Sequence, residues 1–226
     1  MFYVFWELTL IPMFFLILKW GGKDRRYAAQ KFFIYTFTAS VIMLLGLITL
    51  YFLQDPYTLN YSGSMTGRSF SIPELIDSAK AGNLGDNWYL GAQMQKILFV
   101  MLMIGFLVKL PAVPFHTWLP DAHVQAPTGG SMLLAGVMLK MGAYGMFRLP
   151  ISLFPHALYH FQLALMIIGM ISLVWGAIVC LGQTNLKKMV AYSSVSHMGV
   201  ILIGIATMQP MGLSLIHISE PTRRYF

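Results

Sequence analysis

The sequence predicts an all-α, polytopic membrane protein of about six transmembrane helices, one of them broken. Three observations predict it. Of 226 residues, 57% are apolar and only 10% are charged, against about 25% charged in an ordinary soluble domain; the mean hydropathy is +0.67. Six apolar runs, 2–20, 32–53, 92–110, 131–147, 161–181 and 189–208, are long enough or nearly so to cross a bilayer, which takes about 20 helical residues. Between the third and fourth runs stands VKLPAVPFHTWLPDAHVQAP, where Pro111, Pro114 and Pro120 each remove a backbone donor, so no regular helix passes through.

The first run resembles a signal peptide only in length. No basic residue precedes its apolar core, it carries Glu7 inside, and it lacks a small-residue cleavage site, so it reads as a span. Lys19, Lys23, Arg25, Arg26 and Lys31 follow it, and Lys187 and Lys188 separate the fifth and sixth runs. The loop 54–91 instead holds Asp55, Glu74, Asp77 and Asp86 against Arg68 and Lys80. Positive-inside logic places the basic loops in the cytoplasm and the acidic loop outside, with both ends of this chain on the outer side. The formal charge of +7 is spread beside the spans, which reads as topology signal and snorkelling side chains. The bilayer is the partner this implies, and no nucleic acid.

Two lysines stand where lysine is costly. Lys109 ends the apolar run 97–110, and Lys140 lies about midway along 131–147; a lysine at a helix centre costs roughly 2.5–3.5 kcal/mol on insertion scales. Glu7 adds an intramembrane carboxylate. Broken backbone at membrane depth survives only where protein or trapped water satisfies it, and Lys109 opens that break beside His116, Thr117, Asp121 and His123. A desolvated lysine can hold and release a proton, and histidine titrates near neutrality. Asp121 and His123 would equally suit a helix end. Gly136, Gly142, Ala143 and Gly145 thin the helix around Lys140 and permit close approach of neighbours. In the last run Tyr192, Ser193, Ser196 and His197 form a polar stripe, with Ser193 and His197 on one helix face. The competing reading is structural: buried charges that lock helices together.

Cys180 can form no internal disulfide and completes no metal cluster, so packing is its expected role. No flavin, haem or iron–sulfur signature is present. The tail 209–226 differs from all before it. Within it, 213–223, LSLIHISEPTR, resembles the in-frame translation of a transposase-type sequencing adapter, so His217 and Glu220 are assigned no function.

FWELTLIPMFFLI, KFFIYT, VKLPAVPFHTWLPDAH, AGVMLKMGAYGMFR and AYSSVSHMG resemble, in order, the antiporter-like subunits of respiratory complex I, in particular the subunit M/chain 4 family. The resemblance covers nearly all of 1–208, the expected single transmembrane domain. It implies that Glu7 is the acid that pairs with the broken-helix lysine Lys109, that Lys140 is the central lysine of the next helix, that His116 is the histidine after the break, and that His197 is a relay histidine. It further implies a proton-translocating subunit of NADH:quinone oxidoreductase in a bacterial inner membrane. Separation of the Glu7–Lys109 pair would drive a proton toward Lys140. The partners implied are other membrane-arm subunits, and these would carry the NADH, flavin, iron–sulfur and quinone sites, none being in this chain. The helices that precede Glu7 in the family, and the downstream acid that completes its path, have no counterpart here. The alternative is a subunit of a multi-subunit sodium/proton antiporter or of a membrane-bound hydrogenase.

Overall fold

A computed structural model describes residues 2–53, 58–59, 65–66, 70–80 and 88–207. The tail 209–226 and most of the loop 54–91, Asp55, Arg68 and Asp86 among them, lie outside the described residues.

The first span is two helices, α1 (Phe2–Leu8) and α2 (Leu10–Trp20), parted at Thr9. Pro12 explains the parting. It cannot donate to the Leu8 carbonyl, and its ring crowds that oxygen. Thr9 keeps helical angles, φ −70° and ψ −24°, so the ladder is loosened within one continuous rod. The second span, α3 (Arg25–Leu53), begins seven residues before the apolar run. Hydropathy cannot see this extension, because arginine, alanine, glutamine and lysine form helix well without being apolar. In the loop after α3, Thr58–Leu59 pairs antiparallel with Met65–Thr66 (β1 and β2), the only strand pairing among the described residues. A short helix follows, α4 (Ile72–Lys80).

The third span is α5 (Trp88–Lys109), which stops at the expected break. At 22 residues it is about 33 Å long, enough to cross. After the break come a 3-10 turn at Phe115–Thr117 and the short helix α6 (Trp118–Gln125). The fourth span, Thr128–Ile151, is longer than the apolar run and is not regular. It consists of α7 (Thr128–Leu133), a wide π turn Leu134–Met138, α8 (Leu139–Met146) and a second π turn Phe147–Ile151. Pro150 inside the second turn lacks the donor that an α-turn needs, and the wider turn accommodates it. The first turn has no comparable residue to account for it.

The last spans are α9 (Pro155–Leu181) and α10 (Leu186–Ala206). Asn185 caps α10, its side chain accepting from the Lys187 N–H at 3.0 Å. Counting α1 and α2 together, five of the described helices meet both the length and the hydropathy expected of a membrane span; α5 supplies the sixth crossing by length.

α3 lies between α2 and α5, α9 and α10 run side by side, and α6 is wedged between α3 and α10. The α9–α10 crossing is a backbone contact. A Cβ on Gly199 would lie 2.6 Å from the Leu173 nitrogen and 2.7 Å from the Gly169 oxygen. Cys180 seals the far end, its thiol donating to the Met189 carbonyl at 3.2 Å.

Candidate functional site

The site begins where α5 fails. Pro111 cannot extend the ladder, and the chain turns through Ala112, whose N–H donates to Leu107 at 3.0 Å. A cis peptide joins Val113 to Pro114. The freed groups find specific partners. The Trp118 indole N–H donates to the Val108 carbonyl at 2.9 Å, and the Val113 N–H donates to the Ser172 hydroxyl at 2.9 Å. Ser172 is wholly buried on α9, and its hydroxyl in turn donates a hydrogen bond to the Ile168 carbonyl at 2.7 Å. Sequence reasoning missed both residues: Trp118 stands in the broken segment as one apolar residue among several, and Ser172 lies 59 positions from its partner Val113. Ser172→Ala strands a buried N–H and is expected to lower stability by about 1–3 kcal/mol; a thermal melt of the purified protein checks this.

Lys109 is 3% exposed. Its ammonium donates to the Trp6 carbonyl at 3.2 Å and sits 4.0 Å from the centroid of the Trp6 ring. Glu7 is the next residue along α1. The direct contacts of the cation, however, are to Trp6, which the sequence reading had not singled out. α1 delivers both residues to the end of α5, and Trp6 packs edge-on against Phe106 at 5.2 Å.

His116, on the 3-10 turn, is buried, and its Nδ1 has no hydrogen-bond partner. The ring meets Tyr192 of α10 at 6.3 Å between centroids. Ser196 of the expected stripe donates to Leu173 O at 3.0 Å, while Ser193 bonds within its own helix, to Val190 O at 2.9 Å.

Lys140 and His197 are exposed on the surface of this chain, and Glu7 is half-buried. Of the five relay candidates, Lys109 and His116 are buried within this chain. Helical geometry supplies the reason for Lys140. Gly142 and Gly145 face Leu110 and the Phe106 ring of α5, where a Cβ would come within 3.1 and 2.2 Å. Lys140, two residues before Gly142, points about 200° away. Gly136 does not share this close approach, having nothing within 4 Å of a Cβ position.

Asp121 and His123 have packing partners. Asp121 pairs with Lys31 of α3 at 2.7 Å, and His123 Nδ1 lies 2.7 Å from the Ser131 hydroxyl. Lys187 donates to the Ala126 carbonyl at 3.3 Å, and Gly22 N–H to Gln125 O at 2.9 Å. Basic loops and α6 are thus stitched together at one end of the bundle. A cleft of about 340 Å³ opens there beside Asp24, Tyr27, Asp121, Gln125 and Lys188. No group of His, Cys, Asp or Glu able to hold a metal ion occurs among the described residues.

A family model described as NADH:quinone oxidoreductase/Mrp antiporter, TM, matches residues 1–219. The chain belongs to this family. It is 43% identical over 214 residues to the NADH-quinone oxidoreductase subunit M of Rickettsia conorii, covering 95% of this chain and 39% of that protein. It is 44% identical over 216 residues to the F(420)H(2) dehydrogenase subunit M of Methanosarcina mazei, covering 94% of this chain and 40% of that one. Among solved structures it resembles a chain of the respiratory complex I from Thermus thermophilus with bound NADH. There the TM-score is 0.80 and the identity 28%, over 96% of this chain and 43% of that chain. This member of the family therefore spans about two fifths of the length of the curated relatives it matches. The resemblance read from the motifs is the family these comparisons return, a membrane family whose relatives include subunits of an oxidoreductase complex.

Proposed function

We propose that the chain is part of a proton-translocating, membrane-arm subunit of NADH:quinone oxidoreductase, moving protons through Glu7, Lys109, His116, Lys140 and His197. The observation that carries this reading is Lys109: a buried ammonium at the end of a broken helix, held against Trp6, the residue beside Glu7. Burial disfavours the charged amine and a near carboxylate favours it. A change in the separation of Glu7 and Lys109 therefore decides whether the lysine keeps its proton. His116 stands just beyond the break with a free Nδ1, able to accept or pass a proton there. Electron transfer, with its flavin, iron–sulfur and quinone sites, belongs to the neighbouring subunits of the complex. The basic loops face the cytoplasm of a bacterial cell, and the protein lies in its inner membrane.

The second reading is a subunit of a multi-subunit sodium/proton antiporter, which the family description also covers, or of a membrane-bound hydrogenase. The genes that neighbour the intact reading frame separate these readings. Glu7→Gln in the full-length protein, assembled in its complex, tests the relay itself. It removes the charge that stabilises the ammonium and keeps the shape. Proton uptake by inverted membrane vesicles is expected to fall about tenfold, a loss equivalent to roughly 1.4 kcal/mol, with assembly unchanged on native gels. Normal pumping by assembled Glu7→Gln would remove Glu7 from the path.

A further inference from the structure

We infer that Trp6 is a second docking station for the Lys109 ammonium, holding the cation apart from the Glu7 carboxylate before the pair closes. This rests on the relay proposed above and adds a positioning residue to it. Trp6 offers two things to one cation: the face of its ring, 4.0 Å away, and its backbone carbonyl, 3.2 Å away. A cation–π contact is strongest when both partners are desolvated, and Trp6 and Lys109 are 2% and 3% exposed.

The station is built rather than incidental. The ring is gripped by Phe2 at 5.5 Å and by Phe106 edge-on at 5.2 Å, so it cannot easily swing aside. The carbonyl is open to a side chain because the helical ladder is loosened at Thr9, whose hydroxyl donates to the same oxygen at 2.8 Å. Residues 6 and 7 are consecutive on α1, about 100° apart around the helix. The flexible lysine stem can therefore exchange one for the other without any helix moving far. On the ring the ammonium has no counter-ion in contact, whereas on the carboxylate it is locked as an ion pair. The two stations thus give Lys109 two states that differ in how firmly its proton is held.

The test uses the full-length protein in its assembled complex, with fluorinated tryptophans placed at position 6 alone. Each fluorine withdraws electron density from the ring face and nearly preserves its size, so packing is retained while the cation–π contact weakens. The coupled proton-pumping rate in inverted vesicles is expected to fall stepwise with the number of fluorines, roughly threefold by the most fluorinated ring. The same series at Trp175, 51% exposed on α9, is expected to leave the rate unchanged. A flat response at position 6 overturns the station. Lys109→Ala, run in parallel, separates the two ideas. If it abolishes pumping while the fluorine series is flat, the relay stands and the Trp6 station falls; if it pumps normally, the relay itself falls and the station with it.

Discussion

Lys140→Ala, in the full-length protein assembled in its complex, is expected to reduce proton pumping to near background while electron transfer from the soluble hydride donor stays chemically possible. Besides Tyr144, no other ionisable side chain lies in α7 or α8 between Thr128 and Met146, so no second amine, imidazole or carboxyl group in those turns can take over its proton. Coupled quinone turnover should slow in parallel, because redox steps that cannot move their proton are held back. Lys140→Arg should fail as well, since a guanidinium stays protonated and cannot cycle. The measurement pairs proton uptake by membrane vesicles with the oxidation rate, assembly being checked separately. The exposure of Lys140 on this chain sharpens the expectation. A lysine at that depth facing lipid would cost roughly 2.5–3.5 kcal/mol, and it turns away from the face that packs on α5. Were assembled Lys140→Ala to pump normally, the lysine would be a structural counter-charge, and the scaffold reading would gain the ground.

Gly199→Ala, at the α9–α10 crossing, is expected to damage folding severely. The new Cβ would lie 2.6 Å from the Leu173 nitrogen and 2.7 Å from the Gly169 oxygen. Both are backbone atoms, so no side chain can rotate out of the way. α9 and α10 would have to separate along their crossing, at a cost of about 1–3 kcal/mol or more for overpacking. The level of folded protein in the membrane and its melting temperature should both drop. Gly136→Ala is the control. Nothing lies within 4 Å of its Cβ position, and alanine is the better helix former by about 0.5–1 kcal/mol, so its melting temperature should hold or rise. Equal losses in the two variants would show that the crossing is not the constraint.

Much of this architecture was legible in local chemistry. The break after Lys109 was readable because proline lacks an amide hydrogen wherever it occurs, and three of them in ten residues leave a helix no continuation. The spans were readable because a bilayer demands long apolar runs. Their ends were less so: α3 starts at Arg25 and the fourth span runs to Ile151, since helix propensity and hydropathy are different properties. The pairing of Glu7 with Lys109 is an expectation that rests on the motif resemblance alone. Nothing local connects two residues a hundred positions apart.

By itself, then, the sequence determined the membrane class, the span count, the broken helix and the family, all of which rest on composition, on proline and on contiguous motifs. Only the tertiary structure decided what touches what. Trp6 and not Glu7 makes the direct contacts to the Lys109 ammonium. Ser172 and Trp118 satisfy the broken backbone. Lys31 pairs with Asp121 across ninety residues. Lys140 and His197 reach the surface of this chain while Lys109 and His116 stay inside. The physical reason is common to all four. A side chain's direction depends on the rotation of its helix about its own axis, and that rotation is set by how the helices pack, with glycines at the closest approaches, and by no single stretch of sequence.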